Sequence, residues 1–454
     1  MKTFFIPALV VAPLIAAAPA VEVDGDLLAA VYRDDLRAAT SLAVNPAAVN
    51  NANKYGVTPL SAACQNGNPD MVALLLKAGA NPSIALPGGE TPLMTASRTG
   101  KLAVLKFLIA HGADVNAKDA DHAQTALMWA AAEGNAEAIS ALIAAGADLS
   151  AVSKGGFTAY LFAAREGKVA AVTEFLKAGV PVDGALQAPH RQAGETAMVL
   201  AASNAHFDLA SMLVEAGANP NAAGQGWTAL HALTAIRQPG YASNDPAPDG
   251  SGRMGTLDFV RFMAAHGADL NARVTKRWNI GLTSLNVVGA TPFLLAARTG
   301  DAELMRLLAH LGADPLIATA DGTTPLLAAA GVGTRSPGED AGTEAEVLEA
   351  VKVALELGND VNAVDKNGET AIHGVALKWV PSAAQYLLDH GAKIAVWNTK
   401  DFNGWTPLRI ADGVHRGMNL RASPEVAAIL RKALAAAGLS TEVEPEPVVS
   451  GATK

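Results

Sequence analysis

Residues 91–124 read TPLMTASRTGKLAVLKFLIAHGADVNAKDADHAQ, and residues 125–157 repeat the pattern as TALMWAAAEGNAEAISALIAAGADLSAVSKGGF. Each part of this stretch has a mechanical reason. Thr91 can cap a helix through its hydroxyl, and Pro92 falls in the first turn, where its missing N–H removes no helical hydrogen bond. Gly100 supplies the left-handed residue that ends a helix cheaply. Val104, Leu105, Leu108 and Ile109 then recur at helical spacing, and Gly112 stops the second helix. Ala113-Asp114-Val115-Asn116 leads through a turn to the next Thr. The unit is helix, turn, helix, hairpin.

Outward from this stretch the same opening recurs at Thr58, Thr158, Thr196, Thr228, Thr291, Thr324, Thr370 and Thr406, each followed by Pro or Ala and an apolar residue. Successive spacings are 33, 34, 33, 38, 32, 63, 33, 46 and 36, a period of 33 with insertions. Small pairs such as Ala62-Ala63, Ala130-Ala131 and Ala296-Ala297 let neighbouring helices approach closely. A fixed period of this size marks an array of stacked supersecondary units. Ten such copies in register resemble the ankyrin repeat, with its TPLHxA-like start and GADVN-type end. The resemblance runs over 57–439 and implies an all-α-dominated repeat solenoid of stacked helix-turn-helix-hairpin units. It also implies that His231 and His373, in the fourth position of the signature, tie neighbouring loops through their imidazoles.

The ends read differently. Residues 21–56 fit a degenerate N-terminal capping repeat with two short helices, which closes an otherwise exposed apolar stack. Residues 1–20 carry Lys2, an apolar run from Phe4 to Ala17, and Ala18-Pro19-Ala20, the pattern of a signal peptide cleaved near Ala20. That run is too short to span a bilayer, and the expectation is export to the periplasm or medium of a bacterial cell, with no membrane insertion of the mature chain. Residues 440–454 read as an acidic, disordered tail. Insertions at 237–255 and 331–344 lengthen turns between helices in the sixth and eighth units and should share one edge. The insertion at 273–289 lengthens a hairpin and should lie nearer the concave side.

Composition narrows the function. Of 454 residues, 34 are Lys or Arg and 43 Asp or Glu, for a net charge of −9, which argues against nucleic acid because no basic stripe is available to displace counterions from phosphates. Half the chain is hydrophobic and only 5% aromatic, so its core must be built from Ala, Leu and Val. The single cysteine, Cys64, excludes an internal disulfide and reads as a small buried residue rather than a nucleophile. His111, His266 and His390 precede helix-ending glycines, where they can bond terminal carbonyls. Neither HExxH, a phosphate loop, nor a nucleophile elbow is present, so neither metal, cofactor nor catalytic residues are expected. Asn244, Asp245, Asp249, Glu339 and Asp340 form no calcium-loop spacing and read as solvated loop acids.

What remains is a surface for another protein. Ankyrin-like proteins recognise partners through hairpin tips and the exposed side of the first helix, and the residue before the signature Thr is a surface position. Phe157, Trp227 and Trp405 occupy it and are the first candidate anchors, since exposed aromatics are frequent hot spots. Arg98, Glu133, Arg165 and Arg298, near the end of the first helix, are further candidates, as are Lys276, Arg277, Trp278 and Trp397 at hairpin tips. Trp129 and Tyr160 fall on inward positions and should be core. The expected role is an exported, non-catalytic scaffold binding through its concave surface. The alternatives are a secreted host-directed effector and an enzyme whose site is assembled from the sixth- and eighth-unit insertions.

Overall fold

The computed structural model describes residues 26–238, 248–277, 283–335, 337, 340–416 and 419–443. The expected signal peptide, residues 21–25 of the cap, residues 444–454 of the tail, and Asn244, Asp245, Trp278 and Glu339 lie outside the described residues. Two compact units meet in sequence between Asn219 and Pro220.

The N-terminal unit opens with α1 (Leu27–Tyr32), α2 (Leu36–Leu42) and a single further turn, α3 (Pro46–Val49). Helix pairs follow: α4 (Pro59–Asn66) with α5 (Pro69–Lys77), α6 (Pro92–Thr99) with α7 (Leu102–Ala110), and α8 (Ala126–Glu133) with α9 (Ala136–Ala144). Then come α10 (Ala159–Arg165) with α11 (Val169–Lys177), and α12 (Ala197–Ser203) with α13 (Phe207–Glu215). First helices pack on first helices and second on second, as the small pairs allow.

The C-terminal unit repeats the scheme with α14 (Ala229–Arg237) and α15 (Thr256–Ala265), α16 (Pro292–Arg298) and α17 (Ala302–His310), then α18 (Pro325–Ala330) and α19 (Glu344–Glu356). It continues through α20 (Ala371–Lys378), α21 (Pro381–Asp389), the one-turn α22 (Ile394–Trp397) and α23 (Pro407–Asp412). A short antiparallel hairpin, β1 (Val414–Arg416) with β2 (Asn419–Arg421), then leads to α24 (Pro424–Ala436). Both units are lengths of an all-α-dominated repeat solenoid.

Local chemistry accounts for the register. Thr91 accepts from Met94 N at 3.2 Å, and the signature Thr begins a helix in every pair. Gly100 sits at φ +67°, the left-handed region where a side chain would be strained. The Asn that closes a unit reaches the next one: Asn116 Nδ2 donates to Gly146 O at 3.2 Å while its Oδ1 accepts from Asp148 N at 2.8 Å. Asn362 makes the same pair of bonds to Gly391 O and Lys393 N. Hairpins are chained by backbone bonds such as Ala120 N to Gly88 O and Lys366 N to Asp321 O. Each unit therefore satisfies part of its polar ends through its neighbour, the arrangement that makes a linear repeat array cooperative.

Candidate protein-binding surface

Five histidines are held in structural hydrogen bonds. His231 Nδ1 lies 2.8 Å from Thr228 Oγ1 and its Nε2 lies 3.2 Å from Ala290 O, while His373 Nε2 reaches Thr399 O at 3.1 Å, so each joins its own helix cap to the following loop. Burial pushes the His231 imidazole down to about 4, which keeps it neutral. His111, His266 and His390 each place Nδ1 at 2.8 Å from the carbonyl four residues earlier. Cys64 is buried and its thiol is pushed up to about 12 by burial, far from thiolate chemistry at neutral pH. Among the described residues, no group of three His, Cys, Asp or Glu side chains is placed to hold a metal.

On the N-terminal unit the first helices present guanidinium groups stacked on aromatic rings. Arg98 lies 5.5 Å from the centroid of Trp129, one repeat on, and 3.7 Å from Glu90. Arg165 stands 5.0 Å from the rings of both Phe157 and Phe162 and pairs with Glu166 at 2.7 Å. Both arginines keep part of the side chain in water, 34% for Arg98 and 27% for Arg165, and Glu133 is exposed between them in sequence. Guanidiniums pre-positioned on rings lose less freedom when they dock, which favours Arg as an interface anchor.

Several sequence expectations are corrected here. Phe157 is only 9% exposed, because its ring is enclosed by Phe162 at 5.1 Å, His190 at 5.4 Å and the Arg165 guanidinium. Trp129 is half-buried rather than core, and its indole Nε1 is buried without a hydrogen-bond partner. Tyr160 is buried, with its hydroxyl donating to Val182 O at 2.9 Å. Glu195 also precedes a signature Thr, nominally a surface position, and is corrected with the others. It is 1% exposed, its Oε1 accepts from Ser203 Oγ at 3.1 Å, and its Oε2 has no partner.

The C-terminal unit corrects the rest. Trp227 is buried in a cluster with Val274 and Val287 of the lengthened hairpin and with Ala290 just beyond it. Trp397 is 1% exposed because it ends α22, which packs back onto α20. Arg298 is also buried: the eighth-unit insertion folds over it, and Asp340 Oδ1 accepts from Arg298 Nη2 at 2.9 Å. Asp340 Oδ2 accepts from Thr334 Oγ1, and buried Lys378 lies 3.9 Å away while donating to Ala341 O at 2.6 Å. Asp340 is thus an internal counter-ion, not a solvated loop acid. Trp405 is half-buried; Lys276, whose Nζ donates to Gly224 O at 2.7 Å, and Arg277 are exposed.

Stacked helix pairs with hairpins chained in register define a helical repeat protein, and comparison with known families places it. Residues 27–119, 120–184 and 162–240 match the model described as ankyrin repeats (3 copies), and residues 288–320 match the single ankyrin repeat. Together these ranges cover more than half of the chain, which belongs to the ankyrin-repeat family.

Similarity to curated proteins is local. The human ankyrin repeat domain-containing protein 63 is 43% identical over 63 residues, 14% of this chain and 17% of its own length. Zygote-specific protein 3 of Chlamydomonas reinhardtii is 36% identical over 94 residues, 20% of this chain and 25% of its own. Human Rabankyrin-5 is 51% identical over 47 residues, 10% of this chain and 4% of its own. The chain therefore spans a quarter or less of the length of these relatives. No described helix is long and apolar enough to cross a membrane.

Proposed function

We propose that this chain is an exported, non-catalytic scaffold that captures another protein on the first-helix and hairpin face of its N-terminal unit. One observation carries the reading. Arg98, Trp129 and Arg165 stand half-exposed along successive first helices, whereas Arg298 and Lys378, at the ends of α16 and α20 in the C-terminal unit, are sealed beneath the eighth-unit insertion. A rigid array loses little conformational entropy on docking, so a few stacked Arg and aromatic anchors are enough for selectivity. Glu90, Glu133 and Glu166 beside the arginines make the face mixed in charge, suited to a protein rather than to a polyanion. Export rests on the leader-like residues 1–20.

The test is retention of a partner from a cell-envelope extract by the whole chain and by an Arg98→Ala/Arg165→Ala variant with an unchanged circular dichroism spectrum. Loss of the retained protein by the variant supports the reading, and unchanged retention overturns it. Amino-terminal sequencing of the mature protein is expected to begin at Val21; a chain retaining Met1 in the cytoplasm would overturn export.

A further inference from the structure

The lengthened hairpin of the C-terminal unit does more than join two repeats. Its base is closed by Val274 N donating to Ala290 O at 2.9 Å and Gly289 N donating to Val274 O at 2.7 Å. Residues 283–286 lie away from that base and meet the chain just beyond α18. Three donors converge there on one carbonyl, Gly333 O: Ser284 N at 2.8 Å, Thr283 Oγ1 at 2.9 Å and Ser284 Oγ at 3.1 Å. Thr283 and Thr334 form an isolated antiparallel bridge, and Asn286 Nδ2 donates to Asp321 Oδ2 at 2.9 Å. Between these anchors Leu285 packs against a cluster to which α14, α16 and α18 contribute Ala232, Leu294, Leu295 and Ala328, and the base of the hairpin contributes Val274, Val287 and Ala290 beside Trp227.

Two features distinguish this contact from ordinary core. The segment is the outer partner: Ser284 is exposed and Thr283, Leu285 and Asn286 are half-buried, while Leu294, Leu295 and Ala328 beneath are 0% exposed. The platform is also cut to admit a backbone. Gly333 has φ +85°, and a Cβ added there would stand 2.7 Å from Leu285 Cβ and 2.8 Å from Leu285 N. Main-chain bonding at an edge with one aliphatic side chain seated in an apolar strip is how extended peptides are held on folded domains.

We propose that the strip formed by α14, α16, α18 and Gly333 is a binding groove for an extended peptide that presents an aliphatic residue between hydroxyl-bearing and amide-bearing neighbours, and that residues 283–286 occupy it in cis. Its residues differ from those of the N-terminal face, so it stands whether or not that face binds a partner. A tethered occupant competes at an effective concentration of about millimolar order, which holds the groove closed to micromolar trans ligands until the segment is displaced.

The test uses the whole chain and a fluorescein-labelled peptide of residues 283–288, TSLNVV, followed by anisotropy. Leu285→Asp should release the segment and strengthen peptide binding at least about tenfold over the native chain. Adding Gly333→Ala should abolish that gain, because the new Cβ meets the peptide as it would meet Leu285. A Thr283→Gly/Ser284→Gly/Leu285→Gly chain, which introduces no charge, should bind like Leu285→Asp. Folded variants that bind the peptide no better than the native chain overturn the proposal, as does binding that survives Gly333→Ala. Failure of both opened chains to fold also overturns it, since the segment would then be core rather than occupant.

Discussion

Replacing Glu195 with Gln tests whether burial of one carboxyl sets the pH response of the N-terminal unit. Burial pushes Glu195 from 4.5 up to about 7, against the pull of the Ser203 hydroxyl and the charge of Arg191. An acid whose folded pKa lies above its unfolded value keeps its proton longer in the folded state. Its contribution is therefore complete below about pH 4.5 and is lost as pH rises through about 7. A gap of about 2.5 pH units at about 1.36 kcal/mol each makes that loss about 3 kcal/mol. Gln carries no charge to bury, but its amide places donors where Oε2 has no partner, at a pH-independent cost of about 1–3 kcal/mol. Urea denaturation of both proteins by circular dichroism at pH 4.5, 6 and 8 reads the difference directly. The variant should be the weaker protein at pH 4.5 and should gain about 3 kcal/mol relative to the native chain by pH 8. A stability difference that stays constant across this range would refute the reasoning.

The C-terminal unit offers three further predictions. Asp340→Ala leaves Arg298 and Lys378 buried without their counter-ion and should cost about 3–5 kcal/mol, whereas Asp412→Ala, which breaks a more exposed pair with Arg431, should cost about 1 kcal/mol or less; thermal melts of both variants check the contrast. Burial of His231 down to about 4 gives the opposite sign to Glu195. Its contribution is present above pH 6.5 and lost as pH falls through about 4, so a His231→Gln chain should show a flatter acid limb in a plot of Tm against pH. Trp227→Ala should act as a core cavity, costing about 3–5 kcal/mol in urea, and should leave capture by the N-terminal face intact once the protein is folded.

Much of the fold is legible because its signals are local. Thr91-Pro92, Gly100 and Gly112 mark helix ends by backbone chemistry alone, and the 33-residue period repeats that chemistry often enough to exclude chance. His231 and His373 could be assigned to loop ties because their place in the signature dictates their neighbours. The surface was less legible. The position before the signature Thr is nominally wet, yet Phe157, Glu195 and Trp227 there are buried, Phe157 in part by His190 and Trp227 by Val274 and Val287, residues distant in sequence. Trp129 reads as core and is half-exposed, because what lies above it is the Arg98 guanidinium rather than another apolar side chain.

The amino-acid sequence by itself determined the repeating unit, its register and the class of protein, since caps, turns and helical periodicity depend on residues within one turn of each other. Tertiary structure alone decided which of the equivalent faces is open. Burial depends on where an inserted loop comes to rest, and the bonds that hold residues 283–286 to Gly333 and Asp340 to Arg298 and Lys378 join segments some 40 to 50 positions apart, beyond any local pattern.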